Sequence, residues 1–362
     1  MRPKALFGTV VIAGVGLIGG SVGLGTRQRF LADKVIGFDF DPATLEAARG
    51  LGVIDEAQFR PGLWLGGADL IVLASPAGTL TASARELARF TRPDTIFTDV
   101  GSIKGAVCAE LADLRFVGGH PMAGSERVGV LHADAALLEN AVWVLTPDSN
   151  TEAEALARVR AFVEQLGAVP LETTPEQHDR LVAAVSHLPY LSAVALTELA
   201  AQDENRDLVM LLAAGGFRDL TRVASGSPRM SRDMVVGNKE ALRGALAFFR
   251  KHLNELEALL EHPDTMLERA EAAKRARDAF PIVKRSLLPA RFEVVIAVPD
   301  RPGELARITQ ALGDAEVNVK DIEVLSIREA GGALRLAFDS EEGLKRGTQA
   351  LTAAGYEARG RG

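Results

Sequence analysis

One cysteine, Cys108, stands in 362 residues. That excludes an intrachain disulfide and a cysteine-built zinc site, and it makes a reducing cytoplasm the expected setting, with no metal site expected. Cys108 itself falls in a helical pattern and reads as a small packed residue, not a nucleophile. Basic charge is in deficit as well. With 41 lysines and arginines against 48 aspartates and glutamates, the formal net charge is −7, so no cationic footprint for nucleic acid or an anionic membrane is present. A convincing membrane span or signal peptide is also missing. Residues 5–25 carry no charge and follow Arg2 and Lys4, but seven glycines between Gly8 and Gly25 make a poor apolar helix, and no small-residue cleavage site leads to a clear mature start. What remains, 47% hydrophobic and 25% charged residues, is the make-up of a soluble globular protein long enough for two or three domains.

The densest signal is the stretch Thr9 to Gly25, TVVIAGVGLIGGSVGLG. A short β-branched strand, Val10-Val11-Ile12, runs into Gly14-x-Gly16-x-x-Gly19 and then into helix-compatible sequence. Gly14 permits a tight turn, Gly16 lets backbone approach a pyrophosphate, and Gly19 lets the helix pack closely on the strand. Gly14, Gly16, Leu17, Ile18 and Gly19 are therefore the expected cofactor-facing turn, with amides at the new helix start meeting phosphate charge. A second strand, Val35-Ile36-Gly37-Phe38, ends in Asp39, 20 residues past Gly19. A carboxylate there suits the two ribose hydroxyls of NAD and repels a 2′-phosphate. An ordinary βα turn would leave Asp39 as a surface residue. Strand, turn, helix, strand and acid arriving in order favour the dinucleotide.

Up to about residue 172, strand-like segments (9–14, 35–39, 69–75, 95–100, 115–119, 142–146 and 168–172) alternate with helical patterns, which argues an α/β, doubly wound, mostly parallel sheet. Thr151-x-x-Glu154 reads as a capping box for its last helix. From Thr174 the alternation stops. Thr174-Pro175-Glu176-Gln177 combines an N-cap, a proline at the first helical position and a second capping box, and helical periodicity dominates to about residue 287. Leu242, Leu246, Phe249, Leu253, Leu256 and Leu260 recur at alternating spacings of 4 and 3, a seam that needs a partner helix and suggests a homodimer. Ser286-Leu287-Leu288-Pro289 marks a linker. Beyond it, a βαββαβ order in roughly 70 residues describes a small split-βαβ sandwich, too short for another cofactor-bearing domain and natural as a regulatory or dimerisation module. The expected domains are thus 1–172, nucleotide binding; 173–287, helical, for substrate and dimerisation; and 288–362, regulatory.

A nucleotide at the switch point of such a sheet leaves its reactive ring near the carboxyl ends of the later strands. One end carries Ser75-Pro76, expected beside the nicotinamide ribose. Another carries Asp99-Val100-Gly101-Ser102-Ile103-Lys104, and a third Gly118-Gly119-His120-Pro121. His120 is the best acid–base candidate, since an imidazole titrating near neutrality can take the proton of a substrate hydroxyl as hydride leaves its carbon. The helical region adds Ser186-His187-Leu188-Pro189-Tyr190 and Gly215-Gly216-Phe217-Arg218-Asp219-Leu220-Thr221-Arg222. Arginine suits carboxylate recognition through its planar fork, while His187, amid Leu181, Val182, Val185, Leu188 and Leu191, reads equally as a satisfied core histidine.

With these motifs the chain resembles the prephenate/arogenate dehydrogenases of tyrosine biosynthesis over residues 7 to about 262: GVGLIGGS (14–21), DVGSIK (99–104), GGHPMAGSE (118–126), SHLPY (186–190) and GGFRDLTR (215–222). The C-terminal segment is similar to an ACT domain, with Asp300, Gly303 and Asn318 at positions that in such modules bind an amino-acid effector between paired domains. The resemblance implies NAD-dependent oxidative decarboxylation of prephenate to 4-hydroxyphenylpyruvate, regulated by tyrosine. It gives His120 and Ser102 catalytic roles, with Ser102 also beside the cofactor, and places Arg222, His187, Tyr190 and Glu126 on the substrate. Tyr190 stands where the family has a second histidine. Arogenate as substrate is the alternative. A β-hydroxyacid dehydrogenase falls behind because those enzymes use a lysine of the helical domain and none occurs between Lys104 and Lys239. A silent NAD- and amino-acid-sensing protein is disfavoured by the joint presence of His120, Ser102 and Arg222.

Overall fold

A computed structural model describes residues 5–124, 127–279, 292–299, 301–328, 331–356 and 358–361. The expected linker at Ser286–Pro289, together with Glu126 and Asp300, lies outside them. Two compact units divide the chain at 1–266 and 267–362.

The first unit begins with strands β1 (Phe7–Ala13), β2 (Ala32–Phe38), β3 (Glu56–Gln58), β4 (Leu70–Leu73), β5 (Ile96–Asp99), β6 (Phe116–Pro121), β7 (Val142–Thr146) and β8 (Val169–Glu172). They form one sheet in the order β3-β2-β1-β4-β5-β6-β7-β8. Every pairing is parallel except β6 with β7. Helices α1 (Leu17–Gln28), α2 (Pro42–Gly50), α3 (Ala77–Ala88), α4 (Gly105–Glu110) and α5 (Ala153–Gln165) cover the faces. Alternate side chains of the central strands enter opposite cores, because a strand points successive residues to opposite faces. Val10, Ile12, Leu70 and Val72 join Val159 and Phe162 of α5 in one core. Val11, Ala13, Ile71 and Leu73 join Leu80, Ala84 and Leu87 of α3 in the other. The strand order reverses between β1 and β4, so the crevice at their carboxyl ends is where such a sheet takes its ligand.

Two local readings are corrected. The edge strand β3 is absent from the expected list because Glu56-Ala57-Gln58 has no apolar run; it exists by pairing with β2. The Thr151 capping box does not form. Glu152 is the N-cap of α5 and makes no side-chain cap, while the Thr151 hydroxyl is taken up by Asp148, accepting from its N–H and donating to its carboxylate. Cys108 is a packed residue of α4: its Sγ lies 3.5 Å from Thr146 Oγ1, and burial pushes the thiol up to about 11, too high for a nucleophile.

Beyond β8 the unit is helical. Thr174 caps α6 (Pro175–Val182), its hydroxyl accepting from Gln177 N–H with Pro175 at the first position. A π-helical turn at Ala183–His187 joins α6 to α7 (Leu188–Ala201). Then come α8 (Arg206–Leu212), α9 (Gly215–Thr221), α10 (Pro228–Gly237) and α11 (Lys239–Ala258), and the chain passes into the second unit within α12 (Pro263–Ala279). The leucine seam lies on α11 and just past it. Leu242 is buried where α11 meets α6 and the π turn, whereas Leu253, Leu256 and Leu260 are exposed within the single chain.

In the second unit, β9 (Glu293–Val298), α13 (Glu304–Asp314), β10 (Val319–Arg328), β11 (Gly331–Phe338), α14 (Glu341–Ala353) and β12 (Ala358–Arg361) follow the βαββαβ order. They build an antiparallel sheet, β10-β11-β9-β12. Ile296, Leu334, Leu336 and Phe338 of the sheet meet Ile308, Leu312 and Leu351 of the helices. Gly303 sits at φ +89°, a left-handed cap that starts α13 without a Cβ penalty.

Candidate active site

The glycine turn joins β1 to α1 at the switch point. Gly14 has φ +100°, and a Cβ there would lie 2.6 Å from the backbone of Ala74. A Cβ on Gly19 would come within 2.0 Å of the Gly14 carbonyl oxygen, so α1 packs on the turn only because both are glycine. Gly16 differs: nothing lies within 4 Å of a Cβ built on it, leaving space against the amides that open α1. Leu17 and Ile18 begin that helix, half-buried. Asp39, just past β2, accepts from Val15 N–H at 3.0 Å and from Asp41 N–H at 3.0 Å. It thereby ties the turn to the second strand while keeping lone pairs for ribose hydroxyls. Past β4, the Ser75 Oγ is buried with no hydrogen-bond partner, and Pro76 caps α3. The open side of Gly16, the unsatisfied Ser75 hydroxyl and the Asp39 carboxylate fit a dinucleotide.

Three further residues reach the same edge, because β4, β5 and β6 run parallel to β1. Ser102 is half-buried in the bend after β5. Lys104, beside it, is fully buried, ion-paired with the fully buried Asp99, and donates to Gly119 O at 2.8 Å. Asp99 also accepts from Gly119 N–H at 2.9 Å and Gly101 N–H at 2.9 Å. Burial pushes the Asp99 carboxyl up, against the pull of Lys104. This ion pair clamps the end of β6, and the next residue is His120. Burial, then the charge of Lys104, then the nearby rings of His178 and His187 hold the His120 imidazole well below its ordinary 6.5, so the ring is neutral at pH 7.

His120 does not stand alone. Its Nδ1 lies 2.8 Å from His178 Nε2, and His178 Nδ1 lies 2.8 Å from Asp179 Oδ1. Asp179 also accepts from the N–H groups of Lys104 and Gly105, each at 2.8 Å. Asn238, between α10 and α11, donates to Asp179 O at 2.7 Å and lies 3.2 Å from His187 Nδ1. None of His178, Asp179 and Asn238 is among the residues singled out from the sequence. A signal existed: the proline-started α6 buries Pro175, His178, Asp179 and Val182, and adjacent polar residues on a buried face demand partners.

The π turn places His187 at its end, 1% exposed. Such turns interrupt helices at functional sites more often than elsewhere. Bonded to Asn238, His187 has the setting of a core histidine, and burial lowers it to about 4. Tyr190 is half-buried on α7. Arg222 is exposed at the start of a 3-10 turn that follows α9 and packs on α7. The structure thus joins His120, by way of His178 and Asp179, to the Ser102–Lys104 bend, and sets Arg222 and Tyr190 on neighbouring helical elements.

The chain matches family models described as the prephenate dehydrogenase nucleotide-binding domain over residues 22–172, the prephenate dehydrogenase dimerization domain over 174–270, and the ACT domain over 292–355. It is 34% identical to the prephenate dehydrogenase of Bacillus subtilis, over 96% of this chain and 97% of that protein. With the prephenate dehydrogenase of Lactococcus lactis the identity is 32%, over 95% and 98%. Among solved structures, prephenate dehydrogenase from A. aeolicus in complex with hydroxyphenyl propionate and NAD+ superposes with a TM-score of 0.72 at 34% identity, covering 75% of this chain and 97% of that one. Synechocystis arogenate dehydrogenase superposes at 0.67 and 33%, covering 75% and 99%.

Proposed function

The chain belongs to the prephenate dehydrogenase family, and from that membership we propose how its residues carry out the NAD-dependent oxidative decarboxylation of prephenate to 4-hydroxyphenylpyruvate. When bound, NAD supplies the hydride acceptor, C4 of its nicotinamide. The amides at Gly14–Gly19 hold the pyrophosphate at the start of α1, Leu17 and Ile18 flank it, Asp39 takes the ribose hydroxyls, and Ser75, Pro76 and Ser102 line the nicotinamide end. His120, neutral at pH 7, accepts the proton of the ring hydroxyl as hydride leaves the same carbon. The electron pair of the breaking carbon–carboxylate bond then enters the ring, CO2 departs, the ring oxygen takes its proton back from His120, and aromatisation supplies the driving force. The protein's task is orientation and control of one proton. Ser102 supports the hydroxyl, Arg222 holds a substrate carboxylate, and Tyr190 and Glu126 complete the substrate side, whereas His187, buried and bonded to Asn238, serves the packing of the helices around it.

The observation that carries this reading is a half-buried, neutral histidine at the carboxyl end of β6, on the same sheet edge as the glycine turn. NADH formation tests it, with prephenate or arogenate and with NAD or NADP. Prephenate with NAD is the expected pair; turnover with arogenate alone overturns the substrate, and equal use of NADP overturns the role of Asp39. His120→Asn should cut turnover by ~10²–10⁴-fold and leave NAD affinity unchanged.

Two finer readings accompany it. The exposed Leu181, Val185, Leu199, Leu253 and Leu256 of the helical region, in a segment matching a dimerization domain, support a homodimer, and the single cysteine fits a reducing cytoplasm. The ACT domain supports tyrosine as effector, bound through Asp300, Gly303 and Asn318.

A further inference from the structure

We propose that His178 and Asp179 are positioning residues that fix His120 in the one tautomer whose Nε2 is bare, and that they carry the displaced positive charge away from the substrate. The inference rests on His120 being the acceptor of the hydroxyl proton. Asp179 sets the direction of every bond in the chain. Burial works to raise its carboxyl, but the bonds from His178 and from the N–H groups of Lys104 and Gly105 outweigh it and hold the group below the usual carboxylate value. An ionised carboxylate only accepts. His178 Nδ1, 2.8 Å from Asp179 Oδ1, must therefore carry a hydrogen. In the neutral ring this leaves His178 Nε2 as a lone pair, facing His120 Nδ1 at 2.8 Å. His120 Nδ1 must then be the donor, so His120 Nε2 has no hydrogen and is the atom that can take one. A doubly protonated His178 would reverse the second bond and put a hydrogen on His120 Nε2, the wrong form for an acceptor.

The same chain handles the charge. As the substrate O–H proton moves to His120 Nε2, the Nδ1 proton of His120 moves to His178 Nε2. The cation then resides on His178 against the Asp179 carboxylate, and His120 is neutral throughout; the return of both protons resets the pair. A carboxylate that holds an imidazole in its working tautomer is the logic of the serine-hydrolase triad, here lengthened by one ring. The remaining groups facing this chain suit it. Lys104, ion-paired with Asp99, approaches from the bend between β5 and α4, where its charge disfavours a cation on His120, and His187, kept neutral by burial, approaches from the π turn. Asp179 also fastens α6 to the bend bearing Ser102, so one carboxylate sets both the proton acceptor and its neighbouring loop.

The test is 15N NMR of histidine-labelled full-length protein at neutral pH, with the His120 resonances assigned by their loss in His120→Asn. The expected pattern is protonated Nδ1 and bare Nε2. His178→Ala should release that tautomer, lower kcat about 10–100-fold, as when the partner orienting a reactive imidazole is lost, shift the acid limb of the pH–rate profile, and leave KM for NAD within about twofold. His178→Gln, whose carbonyl accepts from Nδ1–H, should restore the tautomer and part of the rate. A hydrogen on His120 Nε2 in the wild type, or an unchanged tautomer and kcat in His178→Ala, would overturn the proposal. Should His178→Ala fail to fold, His178→Gln still decides, since loss of the wild-type tautomer there overturns the proposal, as does a wild-type tautomer and pH–rate profile in Asp179→Asn. Full turnover in His120→Asn would instead remove the underlying assignment of His120, whatever the tautomer.

Discussion

At the scale of single residues, His187 makes a prediction about stability. Burial holds its ring at about 4 in the folded chain, against an ordinary 6.5. Between those values the unfolded chain binds a proton that the folded chain refuses, so stability is fully present above about pH 6.5 and is lost as pH falls towards 4. Each pH unit across that window removes ~1.4 kcal/mol, and the loss approaches ~3 kcal/mol at its acid limit. Urea unfolding from pH 7.5 to 4.5 should show His187→Gln losing less stability on acidification than wild type; parallel curves would refute the assignment. The histidines also show what a sequence reveals. His120 was legible because glycines and a proline fence it at a strand end. His178 and Asp179 were not, since their meaning comes from an approach of α6 to the β5–α4 bend across more than 70 residues of chain. His187 read evenly as core or substrate residue, and its bond to Asn238 lies in a helix junction that no local pattern announces.

At the scale of elements, the strand–turn–helix around Gly14–Gly19 was legible because each glycine answers a separate steric demand. Those demands are separable by experiment. Gly19→Ala forces a carbon against the Gly14 carbonyl oxygen, and overpacking of this kind costs ~1–3 kcal/mol; thermal unfolding should shift down in the absence of cofactor. Gly16→Ala meets nothing within 4 Å, so the bare protein should unfold as wild type does while NAD binding, measured by calorimetry, weakens at least about tenfold, because close backbone approach to the pyrophosphate is lost. A Gly16→Ala variant with normal NAD affinity would remove the turn from the cofactor site. Elements set by pairing were harder to read. β3 has neither apolar run nor alternation, and β7 reverses direction against β6, which strand propensity alone does not encode. The Thr151 box failed through competition: Asp148, three residues upstream, offers the hydroxyl a local turn, the alternative that such residues commonly take over a helix cap.

At the scale of the whole molecule, the C-terminal sheet constrains how an effector is held. β9 and β10 both pair antiparallel with β11 and so run parallel to each other. Val319, the first residue of β10, pairs with Phe338, next to the Ala337 that pairs with Glu293 at the start of β9. Asn318 therefore lies level with the beginning of β9, whereas Gly303 follows its far end. A strand of this length spans roughly 20 Å, beyond the reach of one amino acid, so a ligand touching both positions takes them from two copies of the module. The homodimer and the effector site thus become one proposal, and subunit mixing separates it from a site within one chain. Gly303→Asp and Asn318→Ala homodimers should each retain NADH production from prephenate and lose inhibition by tyrosine. Heterodimers of the two, purified with distinct tags, place both lesions in one of the two shared sites and leave the other intact, so about half of the tyrosine-binding capacity should return in calorimetry. If each chain bound its own tyrosine, every site in the heterodimer would carry one lesion and no binding would return.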